Sequence, residues 1–269
     1  MQTTYTIILA PNPSMMSGPG TNTIVLGGGT EGAIVIDPAV EDSDYLDAIV
    51  EEGAKRGGIR RILITHGHPD HIGGALALKE RLGVSIYAFN REGVPMADEE
   101  IANGTTFPAG DDTLRAIHTP GHRFDHLCFL LEGQRTLFAG DVVAGVGTVV
   151  INPPEGDMQV YLNTLERLQE MEIRELVPSH GPTIGDARAK LSEYIEHRMQ
   201  REQQMLMTLE ELPRGASISQ MVPLIYMDVD ARLYPVAARS VEAHLLKLER
   251  EGLVERLGED AWTLVEPTA

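Results

Sequence analysis

Thr65-His66-Gly67-His68-Pro69-Asp70-His71-Ile72-Gly73-Gly74 decides how the rest of the chain is read. These residues follow an apolar run at 59–64 that predicts a buried strand and precede residues 75–82, which predict a helix. They form a strand-to-helix turn. In extended backbone, side chains two apart leave on the same side, so His66 and His68 can converge on one ion. Pro69 drives His68 into an extended conformation and donates no backbone hydrogen bond. Asp70 and His71, where the chain enters the helix, can face a second ion. Gly73 and Gly74 keep bulk out of the first helical turn, so that backbone can come close to metals or substrate. Imidazole with carboxylate suits zinc, iron or manganese, so the set marks a divalent metal without naming it. Three His and one Asp within six residues, in a chain with 9 His, outweigh a chance polar loop.

Further motifs follow in chain order. Asp37 lies in Val35-Ile36-Asp37-Pro38, His122 in Thr119-Pro120-Gly121-His122, Asp141 in Phe138-Ala139-Gly140-Asp141 and His180 in Pro178-Ser179-His180-Gly181. With residues 66–71, whose pattern is HxHxDH, they resemble the successive motifs of the metallo-beta-lactamase superfamily. Carried over by position, the resemblance implies that His66, His68 and His122 hold one metal, that Asp70, His71 and His180 hold the other, and that Asp141 bridges them. It also implies an α/β fold, the four-layer αββα sandwich. Residue 68 is His and not Glu, so the pattern is similar to the hydrolytic branch rather than the di-iron electron-transfer branch.

At 269 residues the chain can build one large core or a domain plus a smaller one, and 42% hydrophobic with 23% charged residues is an ordinary globular composition. No apolar run approaches the roughly 20 residues that span a bilayer. The start, Met1-Gln2-Thr3-Thr4-Tyr5, lacks a basic segment followed by an apolar one, so a cytoplasmic protein with no membrane partner is expected. The single cysteine, Cys128, sits in an apolar strand-like run and reads as a buried small hydrophobe. A net charge of −18 argues against a broad, non-specific nucleic-acid surface.

Strands are predicted at residues 4–10, 23–27, 33–37, 59–64, 84–89, 113–119, 126–131, 135–138 and 175–177, and helices at 43–56, 75–82 and 158–171. Strand, loop and ligand recur in that order, which places the ligands on loops along one rim of two packed sheets with helices outside. Beyond residue 186 the character changes. Residues 187–211 predict a long charged helix stopped by Pro213-Arg214-Gly215; residues 218–226 and 236–251 predict two more, and 252–265 a hairpin turning at Gly258-Glu259-Asp260. Three helices followed by a two-stranded wing resemble a winged-helix module. The expected division is residues 1–185 for the metal hydrolase domain and 186–269 for a winged-helix-like domain. From Arg232 to Arg256 the basic residues Arg232, Arg239, Lys247, Arg250 and Arg256 are nearly balanced by Glu242, Glu249, Glu251 and Glu255, a solvated face rather than a basic stripe. Packing, or dimerisation into a homodimer, with the module walling the active site, is the expected role.

Two divalent ions about 3.5–4 Å apart lower the pKa of a shared water and polarise a carbonyl or phosphoryl oxygen. Hydrolysis by a metal-bound hydroxide is the expected chemistry, with Asp70 orienting the water or relaying its proton. Zinc is the expected ion, with iron and manganese as alternatives. His126 is placed to orient His122. Arg123 and Phe124 could touch substrate, Arg123 through a phosphate or carboxylate, or could equally face solvent and core. The whole chain resembles the lactamase-like subgroup with a C-terminal winged helix. Asn12-Pro13-Ser14 and Gly20-Thr21-Asn22-Thr23 match that subgroup's N-terminal pattern, and Arg123-Phe124 depart from its usual small polar or acidic residues. Its relatives include a single-strand endoribonuclease and thioesterases that release carrier-bound acyl chains. Three functions therefore stay open. One is hydrolysis of an ester, thioester or lactone of a small or acyl-linked substrate, favoured by the acidic surface and the apolar Met15-Met16 loop. The second is a metal-dependent phosphodiesterase or endoribonuclease on single-stranded RNA. The third is a metal-domain ligand sensor with a DNA-binding winged helix.

Overall fold

The computed structural model describes residues 4–227, 229–258 and 260–266. Parts of the expected hairpin turn (Glu259) and of the chain start (Met1-Gln2-Thr3) lie outside the described residues. The first sheet is built in chain order from β1 (Tyr5–Leu9), β2 (Asn22–Gly27), β3 (Ala33–Ile36), β4 (Ile59–Leu63), β5 (Ser85–Ala88) and β6 (Glu99–Glu100). Its first three strands are antiparallel and its last four parallel. The second sheet contains β7 (Thr106–Ala109), β8 (Asp112–His118), β9 (Leu127–Leu131), β10 (Thr136–Gly140) and β11 (Glu175–Pro178), ordered β11-β10-β9-β8-β7. Only β10 and β11 pair in parallel within it.

Because side chains alternate across a strand, one short apolar run can serve two layers. In β3, Ala33 and Val35 face a cluster with Tyr45, Leu46 and Ile49 of α1 (Ser43–Lys55), and with Ala75 and Leu78 of α3 (Ala75–Leu82). Ile34 and Ile36 face the opposite way, into a cluster between the two sheets. In β9, Leu127, Phe129 and Leu131 enter that same middle cluster, whereas Cys128 and Leu130 face a third one. The third is closed by Tyr161, Leu162 and Leu165 of α4 (Met158–Gln169) and by Ala187, Leu191 and Tyr194 of α5 (Ala187–Glu211). The result is the expected four-layer αββα sandwich.

α5 starts where Asp186 accepts the Ala189 N–H at 3.0 Å, and its far half leaves the sandwich. Met205 and Leu209 pack with α6 (Ile218–Ile225), α7 (Tyr234–Arg250) and Trp262 in a fourth cluster. A small sheet completes this module, from β12 (Ala216–Ser217), β13 (Val254–Leu257) and β14 (Ala261–Leu264) in the order β12-β14-β13. The wing is thus three-stranded, not two-stranded, because two residues after α5 pair with β14. α7 begins at Tyr234 rather than 236, since Pro235 fits the first helical turn, where its missing N–H costs no bond.

Candidate metal centre

Parallel strands put successive loops on one rim, and the site is built there. Asp37 follows β3, residues 65–71 follow β4, Asp141 follows β10 and His180 follows β11; His122 lies on the turn between β8 and β9. His68 is extended at φ −70, ψ 144 ahead of Pro69, which opens the short helix α2 (Pro69–Ile72). Gly67 permits a close crossing: a Cβ there would meet the Gly93 carbonyl oxygen at 2.0 Å.

The ligand atoms converge. His68 Nδ1 lies 2.8 Å from His66 Nε2 and 3.2 Å from His122 Nε2. Asp141 turns one oxygen to each side: Oδ2 is 3.7 Å from His122 Nε2, while Oδ1 is 3.6 Å from His71 Nε2 and 3.4 Å from His180 Nε2. Asp70 Oδ2 lies 3.4 Å from His180 Nε2 and 4.0 Å from His71 Nε2. Metal–ligand bonds of about 2.0–2.2 Å place tetrahedral donors about 3.4 Å apart, so these spacings fit shared ions. His71 Nε2 and Asp141 Oδ1 are buried with no hydrogen-bond partner among the described residues, an unusual cost unless something else binds them. All seven residues fall into two groups, His66, His68, His122 and Asp141 on one side and Asp70, His71 and His180 on the other.

Supporting contacts fix the imidazoles. His71 Nδ1 lies 2.8 Å from Asp37 Oδ2, and Asp37 also accepts the Thr65 N–H at 2.8 Å and the Thr65 hydroxyl at 2.6 Å. Asp37 takes a left-handed backbone conformation, φ 51, which Asp tolerates better than most residues. The Val150 carbonyl accepts from His122 Nδ1 at 2.7 Å, so that nitrogen bears the proton and Nε2 presents its lone pair inward.

Electrostatics divide the same way. Burial pushes His66, His68 and His122 down, His68 to about 3, with neighbouring imidazoles adding to the effect at His66 and His68; all three are neutral and ready to ligate. At His71 burial acts downward too, but the Asp141 and Asp37 carboxylates outweigh it and raise the group well above its ordinary value. His180 behaves likewise, raised to about 9 against its burial by Asp141 and Asp70. Burial favours the neutral form of Asp141, yet His71 and His180 hold it well below the usual carboxylate range. Protons thus meet a demand for positive charge that cations of a metal site would meet.

The metallo-beta-lactamase superfamily profile matches residues 17–180, and the beta-lactamase associated winged helix domain matches residues 217–262. The chain belongs to the metallo-beta-lactamase superfamily. By family it is a metal-dependent hydrolase. It is 32% identical to the beta-lactamase-like protein 2 homolog of Drosophila melanogaster, covering 97% of this chain and 94% of that one. It is also 32% identical to the atrochrysone carboxyl ACP thioesterase of Emericella nidulans, over 88% of this chain and 77% of the relative. A metallo-beta-lactamase family protein from Thermus thermophilus superposes with a TM-score of 0.81 at 21% identity, covering 97% of this chain and 98% of its own.

Around the centre of this metallo-beta-lactamase superfamily member, the other residues singled out by the sequence take supporting or purely structural places. His126 meets His122 ring edge to face, their centroids 6.2 Å apart, but uses its nitrogens elsewhere: Nε2 accepts the Asp141 backbone N–H at 3.0 Å and Nδ1 lies 2.8 Å from the Thr119 hydroxyl. Gly73 and Gly74 admit the backbone of residues 38–40 rather than metal or substrate: added Cβ atoms would meet the Ala39 and Val40 carbonyl oxygens at 2.5 and 2.4 Å. Arg123 is engaged within the protein, donating to Asp125 at 2.7 Å and Glu155 at 3.0 Å, while Asp125 accepts the Gly67 N–H at 2.9 Å. Phe124 is half exposed. Cys128 is fully buried, and burial pushes its thiol up to about 12, so it is no nucleophile. Asn22 was legible only as part of a matching pattern; its side-chain amide donates to the Pro178 and Gly181 carbonyls at 2.9 and 2.8 Å and pins the His180 loop.

Proposed function

We propose that the protein is a dinuclear metal-dependent hydrolase acting on an ester or thioester of an acyl-linked substrate. The observation that carries this reading is Asp141, whose two oxygens face two different ligand groups. In this reading His66, His68 and His122 hold one ion, Asp70, His71 and His180 the other, and Asp141 joins them. The donor set suits zinc, with iron and manganese next. Two such ions supply an activated water and a Lewis acid for the carbonyl oxygen. The chain's own residues do the rest. Asp70, the most exposed carboxylate of the cluster at 37%, is placed to take a proton from water at its side-chain oxygens. Asp37 keeps His71 aimed, and Asn22 and His126 hold the two loops that bear His180 and Asp141.

A thioesterase among the relatives supports an acyl thioester as the substrate class. Charge supports it over RNA. Each of the five basic residues between Arg232 and Arg256 is paired with a carboxylate: Arg232 with Asp230, Arg239 with Glu242, Lys247 with Glu202, Arg250 with Asp157 and Arg256 with Glu249. Little cationic surface is left there for phosphates. We further propose that residues 1–185 bear the chemistry and residues 186–269 serve it as a packing module in the cytoplasm. Metal analysis of protein purified without added metal, with parallel assays on an acyl thioester and a short single-stranded RNA, tests the proposal. About two ions per chain with thioester turnover lost on chelation is the expected result. RNA cleavage lost on chelation, without thioester turnover, would replace it with the nuclease.

A further inference from the structure

Residues 142–151 connect the Asp141 loop to the segment before α4, and the C-terminal part of the chain holds them at several points. Tyr194 of α5 accepts the Ala144 N–H at 2.8 Å and donates to the Gly147 carbonyl at 2.9 Å. One turn further on, Arg198 Nη2 donates to the Val149 carbonyl at 2.6 Å. Ser240 of α7 accepts the Ile151 N–H at 3.4 Å. The side chains of Val149 and Ile151 pack in the same apolar cluster as Leu191, Tyr194 and Ala243. Between the two gripped residues stands Val150, whose carbonyl oxygen is the acceptor for His122 Nδ1.

Arg198 is the informative residue. It is 1% exposed, and its guanidinium lies 5.5 Å from the Tyr161 ring centroid. A guanidinium is among the costliest groups to bury, and here its charge-assisted donor goes to a main-chain oxygen one residue from the His122 contact. A Leu or Met at that place would pack the same apolar surroundings at lower cost; what the guanidinium adds is the bond to the Val149 carbonyl and the contact with the Tyr161 ring. Ser240, 5% exposed, is a second polar group on the same three residues from a different helix. Neither side chain approaches a metal ligand directly; each acts on the backbone that does.

We propose that Arg198 and Ser240 are positioning residues through which the C-terminal module sets the tautomer and aim of His122. A neutral imidazole must place its proton on one nitrogen. Holding the Val150 carbonyl against Nδ1 fixes the proton there and leaves the Nε2 lone pair directed at His68 and Asp141. If residues 149–151 drift, the carbonyl withdraws, both tautomers populate, and a fraction of molecules presents an N–H where a lone pair is needed. The module would then contribute to catalysis without binding any nucleic acid.

The inference rests on the metal-site reading for its affinity consequence, but the tautomer can be read without metal or substrate. The test uses the full chain, metal-free and 15N-labelled at histidine, as wild type, Ser240→Ala, Arg198→Lys and Glu202→Gln. Glu202 sits on the same helix as Arg198 but contacts His244 and Lys247, not residues 149–151, so it controls for loss of stability alone. Ring nitrogen shifts of His122 should show a single Nδ1–H form in wild type and Glu202→Gln, and a mixture in Ser240→Ala and Arg198→Lys. Zinc titration of the same samples should show affinity at the His122 side falling about 10-fold in the latter two. A single, unchanged tautomer in Ser240→Ala, or the same mixture in Glu202→Gln, overturns the proposal even if Arg198→Lys fails to fold. An unchanged wild-type tautomer with no zinc bound would instead overturn the metal reading and leave this positioning intact.

Discussion

Two buried clusters of titratable side chains among the described residues are opposites. In the C-terminal module, Glu202 accepts from Lys247 at 2.9 Å and lies 3.0 Å from His244 Nδ1, and Lys247 also reaches Glu251. Donors and acceptors nearly balance there, leaving His244 Nε2 as the one unpartnered atom of the cluster among the described residues. At the rim of the sandwich, His71 Nε2 and Asp141 Oδ1 are both unpartnered among the described residues and face each other at 3.6 Å. A structural network closes its hydrogen bonds internally. A ligand site leaves converging atoms open, and that contrast separates them more reliably than burial, which is similar in both.

The largest effect that would sharpen this contrast is expected from Asp141→Ala, which removes the oxygen pair shared by the two groups. Metal analysis should find both ions lost or disordered together, and turnover should fall about 1,000-fold or more, the equivalent of about 4 kcal/mol of transition-state stabilisation. Full metal occupancy in that variant would break the bridging assignment. Asp37→Asn comes next. It keeps the shape but removes the charge behind His71, so affinity for the ion on the His71 side should drop about 10- to 100-fold in zinc titrations, with the His122 side much less affected.

Glu202→Gln should behave in the opposite sense. Denaturant unfolding should show a loss of about 2 kcal/mol, less than the full cost of a broken buried pair because Lys247 keeps Glu251, with metal content unchanged. The smallest effect concerns pH. In metal-free protein His180 is raised from 6.5 to about 9, so the stability it adds is fully present below about pH 6.5 and is lost as pH rises through 9. Thermal melts of metal-free protein should therefore decline across that window by a few degrees relative to the metal-loaded form. A flat metal-free profile would mean that the carboxylates do not hold a proton on His180.

The sequence displays what side-chain identity controls and hides what backbone supplies. α5 is readable end to end because Asp186 caps it and Pro213 follows it. β7 is not, since Pro108 interrupts a four-residue strand with only Phe107 and Ala109 buried, and neither β6 nor β12 exceeds two residues. The same holds for the site. Its histidines and aspartates stand in motifs, and the family resemblance of those motifs implies their grouping before any coordinates. The acceptor for His122 is the carbonyl of Val150, which any residue could provide, and the clasp on Gly67 comes from Asp125, 58 positions away. Arg198 looks like one more charge on a polar helix until its burial is seen.

The length of α5 has a bearing on how this enzyme can be dismantled. Twenty-five residues at about 1.5 Å each make a rod of about 37 Å that is inserted in the sandwich at one end and in the wing module at the other. A shortened chain ending near residue 186 would lose Leu191 and Tyr194, and with them a wall of the sandwich. Removing the module therefore means rebuilding an outer layer of the sandwich.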